Sequence, residues 1–396
     1  MKTLIELYDE RTIENVIGPE IFQPEKIVYL CPPDVAEDRT VRRNLSAFLK
    51  SRGLRAEVSF TEADMLKTAE VLSALRSVSA SHPECALDVT GGTDASLVAA
   101  GMFCGETGIP TFTYSRRKNC FYDISNAPFA EQLRCGLEYS VEEFFRMAGG
   151  TMRKGRVDSA SLLAVLPQIE AFFHVFLRFR KDWNEQITFF QRISRAPHDA
   201  EAPLAVSGSM VQKGEHGSRI RVSEALLRSL EQIGFLEDCR FDAENDRVSF
   251  RFADQQVRTW LRDVGSVLEL YMFKSCLDAG IFRDVVCSAI VDWDGTNTRG
   301  SVSNEIDVVA SRGVVPLFVS CKACEVKTEA LNELAILSDR FGGKAAKAVI
   351  ATTEPCTASA RHRAAQLGIA VIDLEELSAG KASERLKVIL KVRDQL

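Results

Sequence analysis

Asp307, Ser320 and Lys322 are the residues whose types and spacing first suggest chemistry. They lie within Ser301 to Ala323, SVSNEIDVVASRGVVPLFVSCKA, which reads as two adjacent β-strands joined by a tight turn at Arg312-Gly313. Ser303, Glu305 and Asp307 alternate with Asn304, Ile306 and Val308, and Pro316 to Cys321 is a second apolar run ending on Lys322. Strand side chains repeat with period two, so Ser320 and Lys322 share a face. Pairing around the turn brings Asp307 near them. An acid and a lysine gathered this way on a sheet suit the hydrolysis of a phosphodiester: the acid holds a divalent cation, and the lysine orients or acidifies the attacking water.

The flanking elements must position that set. Gln256 to Ala279 reads as one helix, with Val257, Trp260, Leu261, Val264, Leu268, Tyr271, Met272 and Cys276 near helical spacing. Glu269 sits beside this stripe, either as a solvated flank or as an inward-facing functional acid. A strand over Val285 to Trp293 precedes the Asp307 and Lys322 strands. A helix over Lys327 to Phe341, a strand at Ala348 to Ala351, a helix over Thr357 to Leu367 and a short strand at Ala370 to Ile372 follow. The opening order αβββαβ combines an antiparallel hairpin with a helical crossover.

A second constellation lies near the N-terminus. Strand signals at Thr3 to Tyr8, Lys26 to Cys31, Leu54 to Phe60 and Ala86 to Val89 alternate with helical stretches, and Pro110 to Tyr114 and Cys120 to Ile124 close the series. Repeated βα units predict a mostly parallel, Rossmann-like sheet covered on both faces, with ligands at the carboxyl ends of its strands. Asp9, Arg11 and Thr12 fall at one such end and Thr90-Gly91-Gly92-Thr93-Asp94 at another. The glycines permit close backbone approach, and the following helix offers free N–H groups to an anion. Thr90 and Thr93 add hydroxyls, and Asp94 is placed to cap the helix or to meet a ribose or base edge. The same run also reads as an ordinary glycine turn with Thr93 or Asp94 as N-cap. It is not G-x-G-x-x-G, so no dinucleotide cofactor is indicated.

Between them, Val141 to Met147 is helical and precedes a basic patch at Arg153, Lys154 and Arg156. Pro167 to Trp183 reads as a long helix whose Phe172, Phe173, Phe176 and Phe179 suit packing, with His174 in the core or at its boundary. Ser207 to Ser218 is a glycine- and serine-rich loop. A helix from Ser223 to Ile233 then precedes a hairpin at Phe241 to Phe252, a winged-helix-like order. Its balanced charge favours a spacer over a DNA reader.

The 396 residues predict two or three domains. Hydrophobic residues at 46% and charged residues at 26% suit a soluble globular chain, and a net charge of −6 disfavours a broad nucleic-acid coating protein. Eleven scattered cysteines, with one C-x-x-C pair at Cys321 and Cys324 and no completing pair or histidine, predict reduced thiols in a cytoplasmic protein. The first residues carry acids within their apolar run, unlike a signal peptide, and no stretch reaches the apolar length of a membrane span.

Glu269, Asp307 and Lys322, on helix, strand and strand, resemble the PD-(D/E)XK nuclease core. Together with T-G-G-T-D at Thr90 to Asp94 and N-E-I-D-V at Asn304 to Val308, they resemble the CRISPR-associated Rossmann-fold (CARF) effectors with a C-terminal nuclease. The resemblance implies an α/β chain with a CARF sensor over 1–140, a helical, winged-helix-like linker over 141–255 and a nuclease domain over 256–396. It also implies a homodimer that binds a cyclic oligoadenylate, typically cyclic tetra-adenylate, across its two-fold axis through Asp9, Arg11, Thr12 and Thr90 to Asp94, including Gly91, Gly92 and Thr93. Cleavage of DNA or RNA would then require Mg²⁺ or Mn²⁺ on Asp307 and Glu269, with the Cys321 carbonyl as a neutral ligand and Lys322 orienting water. Ser320 stands where the family pattern has a second acid, and a hydroxyl is a poorer metal ligand than a carboxylate. Two alternatives stay open: a cyclic-oligoadenylate-responsive DNA-binding regulator with a degenerate nuclease domain, and a repair- or restriction-type nuclease whose Rossmann domain only dimerises.

Overall fold

The computed structural model describes residues 1–154, 159–195, 202–214, 218–293, 295 and 303–391. The first sheet contains β1 (Thr3–Leu7), β2 (Lys26–Cys31), β3 (Glu57–Glu62), β4 (Cys85–Asp88), β5 (Thr111–Ser115) and β6 (Cys120–Ser125). Their order is β3-β2-β1-β4-β5-β6, parallel throughout except for the β5–β6 pair. Runs such as TLIEL and KIVYLC are buried almost throughout because helices cover both faces. The helix Arg39–Ser51 packs on one face, and Thr68–Ser81 and Asp94–Thr107 pack on the other. The strand order reverses between β1 and β4, so a crevice opens beyond their carboxyl ends. The third strand starts at Glu57 rather than Leu54; Leu54 is instead a core residue below the strand.

The chain then contributes β7 (Thr151–Lys154), β8 (Ala205–Ser209), β9 (Val211–Lys213), β10 (Arg219–Arg221), β11 (Leu236–Asp242) and β12 (Arg247–Phe252). Strands β8, β12 and β11 form a small antiparallel sheet behind the helix Glu224–Gln232. The expected long helix ends at Phe179. A 3-10 turn at Arg180–Asp182 redirects the chain into a second helix, Trp183–Ile193. Phe172, Phe173 and Phe176 are buried, with Phe173 stacked on Tyr271 at 3.7 Å, whereas His174 is exposed on the opposite side of the helix.

The last sheet adds β13 (Asp284–Asp292), β14 (Ser303–Arg312), β15 (Val315–Lys322), β16 (Lys347–Thr352) and β17 (Ile369–Ile372), in the order β17-β16-β15-β14-β13-β7. Strands β13 to β15 are antiparallel, and β15 to β17 are parallel. Strand β7 was not foreseen. Arg153 and Lys154, read as a basic linker patch, pair with Ile290 and Ala289 at the sheet edge, where a short charged strand discourages further pairing. Arg156 lies outside the described residues.

The helix expected over Gln256 to Ala279 is two, Gln255–Trp260 and Ser266–Asp278. Asp263 accepts hydrogen bonds from the Ser266 amide and hydroxyl, both at 2.9 Å, and so opens the second helix with Glu269 in its first turn. One apolar core runs from Leu162 through the small sheet to Leu386. Nine of the eleven cysteines are buried and none is in a disulfide. Among the described residues no helix is long and apolar enough to cross a membrane.

Candidate functional site

At the ends of β1 and β4, local bonds fix the backbone. Asp9 accepts the Arg11 amide hydrogen (2.9 Å), Asn15 accepts that of Asp9 (2.9 Å), and the Asn15 side-chain amide donates to the Asp9 carbonyl (2.7 Å). Thr90 is tied on both sides: its amide donates to Asp88 (2.7 Å) and its hydroxyl accepts from the Tyr114 amide (2.8 Å). Thr93 is the N-cap of Asp94–Thr107 in a reciprocal capping box with Ser96, and its hydroxyl donates to the Met65 carbonyl. A Cβ on Gly91 would lie 2.6 Å from the Leu7 carbonyl oxygen, so glycine is required for this loop to approach β1.

The resulting cleft, about 500 Å³, is lined by Asp9, Arg11, Gly92 and Thr93 of the expected set. Thr12 lines an adjoining cavity of about 280 Å³. Thr90, Gly91 and Asp94 line neither. Thr90 through its two bonds and Gly91 through its close approach to Leu7 shape the loop. Tyr8 and Glu10 also line the cleft, as do Asp339, Arg340 and Lys344 from the end of the helix Thr328–Gly342 and the turn after it. Local sequence gave no sign of these last three, because they arrive from the far sheet.

In the last sheet the β14–β15 ladder runs from Arg312/Val315 to Val308/Val319 and stops there. Asp307, next in line, turns its carboxylate onto β15: Oδ2 accepts the Cys321 amide hydrogen at 2.6 Å and lies 3.4 Å from the Ser320 hydroxyl. Across β13 the pairing skips Ser288, the residue that would face Asp307. Its φ of +54° is unusual for a residue with a side chain and marks local backbone strain. The Ser288 hydroxyl donates to Glu305, which alternates onto the same strand face as Asp307.

Glu305, Asp307, Ser320 and Lys322 line one small pocket of about 40 Å³, closed by Ala330, Glu333, Leu334 and Leu337 of the helix Thr328–Gly342. Burial raises the Asp307 carboxyl, against the pull of the Cys321 amide and Lys322. Glu269 is pushed up to about 8, first by burial and then by Asp307, Asp263 and Glu305, with Lys322 opposing. Glu269, Asp307 and Lys322 are thus mutually close in charge, although Glu269 does not line the pocket itself.

Among the described residues no three His, Cys, Asp or Glu side chains converge into a ready metal cluster. The donor set still suits a hard cation. Asp307 and Glu269 each feel the charge of Lys322, and Mg²⁺ needs only one or two carboxylates, completing its shell with water and substrate phosphates. The Cys321 side chain is buried and burial raises its thiol; the contribution expected of this residue is its carbonyl.

No family model matches the chain, and no curated protein matches it in sequence. Solved structures do match in fold. Protein VC1899 from Vibrio cholerae superposes with a TM-score of 0.69 at 16% identity, over 98% of both chains. Can2 from Sulfobacillus thermosulfidooxidans, solved in complex with cyclic tetra-adenylate, superposes with a TM-score of 0.68 at 18% identity, over 99% of this chain and 98% of that one. The likeness extends over the whole chain and is one of fold.

Proposed function

We propose that this protein is a metal-dependent nuclease of type III CRISPR defence. In this reading it cleaves single-stranded DNA or RNA and is switched on by cyclic tetra-adenylate. Residues 1–140 form a CARF sensor, 141–255 a linker and 256–396 a PD-(D/E)XK nuclease domain. The observation that carries the reading is the Asp307 carboxylate on the Cys321 amide where the β14–β15 ladder ends, with Lys322 in the same pocket and Glu269 in electrostatic reach. The full-length fold likeness to a cyclic tetra-adenylate complex supports the choice of activator.

Asp307 and Glu269 would hold Mg²⁺ or Mn²⁺, with the Cys321 carbonyl beside them; the bound cation supplies Lewis acidity to the scissile phosphate. Asp307 is held in place by the Cys321 amide, which donates to its Oδ2. Lys322 balances the two acids and orients water for in-line attack. The helix Thr328–Gly342 closes the pocket from one side with Leu334 and Leu337, limiting bulk water.

A homodimer is supported by the helix Asp94–Thr107, whose apolar middle leaves Leu97, Val98 and Met102 exposed, beside the exposed glycines Gly101 and Gly105. Such a helix wants a partner, and a second copy across a two-fold axis would present matching half-sites to a ring of repeated nucleotides.

The test is cleavage of labelled single-stranded DNA and RNA with Mn²⁺, with and without cyclic tetra-adenylate, beside Asp307→Ala. Activator-dependent cutting that disappears in the variant supports the reading. Cutting without activator would favour a repair- or restriction-type enzyme. A second reading, a ligand-responsive regulator that binds DNA without cutting it, draws on Ser320 in place of an acid and on the lack of a three-ligand cluster among the described residues. Tight activator binding with no cutting would favour it. Against it, Arg228 of the helix Glu224–Gln232 is paired with Glu231 at 2.9 Å, so that helix presents no basic reading face.

A further inference from the structure

The helix Thr328–Gly342 belongs to both candidate sites. Near its start, Ala330, Glu333, Leu334 and Leu337 close the acid–lysine pocket. At its end, Asp339 and Arg340, with Lys344 just beyond, line the cleft at the ends of β1 and β4. Glu333 and Arg340 are two turns apart, about 10 Å along the axis. Close packing joins the helix to the first sheet: a Cβ on Gly343 would lie 3.4 Å from the Arg11 side chain, and Arg11 pairs with Asp339 at 3.8 Å.

The charges in the cleft are set against one another. Arg11, Arg340 and Lys344 bring three cations, while Asp9, Glu10 and Asp339 bring three acids. Asp9 is occupied with the Arg11 amide, and Asp339 with the Arg11 side chain. Both members of the Arg11–Asp339 pair are well exposed, so their bond is weak and easily exchanged. A phosphate would form a stronger, two-pronged contact with Arg11 and would repel Asp339.

We propose that the phosphates of the cyclic oligonucleotide are held jointly by Arg11 of the first sheet and by Arg340 and Lys344 of the last, displacing Asp339 from Arg11. This inference rests on the reading of the cleft as an activator site. Ligand binding then acts directly on the end of a helix whose other end closes the nuclease pocket. The helix also carries a polar link there: Glu333 accepts from the Asn304 amide (2.8 Å), and Asn304 accepts from the Trp293 indole (2.7 Å) just past the end of β13. A ligand shifts an equilibrium only through contacts that differ between states, and the exchange at Arg11 is such a difference.

The experiment is the affinity of fluorescent cyclic tetra-adenylate for the full chain, measured by anisotropy. Wild type is compared with Arg340→Ala/Lys344→Ala and with Asp339→Asn, all at exposed positions whose change leaves the fold intact. The double variant should bind about ten-fold more weakly or worse, as expected for lost charge-assisted contacts. Asp339→Asn should bind more tightly, because its competitor for Arg11 is gone. Wild-type-like affinity in the double variant would overturn joint gripping while leaving the activator reading standing. Weaker binding by Asp339→Asn would overturn the exchange. Failure of wild type itself to bind would remove the activator reading and this inference together.

Discussion

Asp307 and Cys321 are joined by a side-chain-to-backbone bond of 2.6 Å at the point where β14 and β15 part. On the proposed reading the carboxylate would have two separable jobs, holding β15 through Oδ2 and meeting a cation. Asp307→Asn keeps an acceptor for the Cys321 amide and loses the charge. Its melting temperature should stay close to wild type while cleavage disappears. Asp307→Ala leaves that amide unpaired and should lose about 1–3 kcal/mol of stability as well as cleavage. Thermal melts and a cleavage assay on both variants check this; a stable, active Asp307→Asn would contradict the metal role.

Ser320 and Lys322 share the pocket but not the chemistry. The Ser320 hydroxyl is 3.4 Å from Asp307, a long contact beside the 2.6 Å amide bond. Ser320→Ala should therefore slow cleavage by less than about ten-fold, whereas Lys322→Ala should cost about 10²–10⁴-fold if it handles the proton of the attacking water. Single-turnover rates under saturating metal distinguish the two, and equal losses would make Ser320 a working group.

The N-terminal sheet and the hairpin around Arg312-Gly313 were legible because their strands are apolar runs bounded by turn residues, and period two correctly joined Ser320 with Lys322. Three features were not legible. Thr151–Lys154 has too little apolar character to read as a strand, and only its pairing with β13 makes it one. The break between Trp260 and Ser266 lies inside an unbroken helical pattern, where Asp263 accepts the amide hydrogen of Ser266, the first residue of the second helix. Arg340 and Lys344 line the N-terminal cleft through packing between sheets, which no local spacing encodes. In the T-G-G-T-D run Thr93 is an ordinary N-cap, and Gly92 and Thr93 line the cleft.

The two loop glycines should not tolerate side chains. A Cβ on Gly92 would meet Ser96 Oγ at 2.6 Å and Leu7 Cβ at 3.0 Å, and its φ is +93°. Gly91 is blocked by the Leu7 carbonyl. Gly91→Ala and Gly92→Ala should each cost about 1–3 kcal/mol locally and should weaken activator binding before they unfold the chain. Titration of labelled cyclic tetra-adenylate beside a melt separates the effects; unchanged affinity would mean the loop is remote from the ligand.

The exposed face of Asp94–Thr107 predicts an assembly. Val98 is 58% and Met102 49% exposed in the apolar middle of this helix. Val98→Asp/Met102→Asp should convert a dimer to monomers in light scattering. It should also abolish activator-dependent cutting, since each copy would keep only half a ring site. A monomeric wild type would remove this prediction's premise.

A buried carboxyl pair sets the pH response. Glu6 and Asp88 are paired in register on β1 and β4, and both are fully buried. A Cβ on Gly18 would lie 2.2 Å from Asp88 Oδ2 and 2.8 Å from Glu6 Oε1, so the two carboxyls converge on that glycine. Burial pushes Asp88 up to about 7, and burial with the neighbouring Asp88 pushes Glu6 well up. Tyr29, on β2, is raised by burial and by the same two acids and adds no positive charge. The sign follows from proton counting. Between the unfolded pKa of about 4 and the folded value near 7, the native state holds a proton that the unfolded chain has lost. Stability is therefore full below about pH 4 and falls as pH rises through 7, by at most about 4 kcal/mol for Asp88. Asp88→Asn retains an acceptor for the Thr90 amide and removes the ionisation. It should match wild type near pH 4, exceed it at pH 8 and flatten the slope between. Denaturant melts across that range test the assignment, and a wild type that grows more stable from pH 5 to 8 by an amount Asp88→Asn shares would show that other groups govern it.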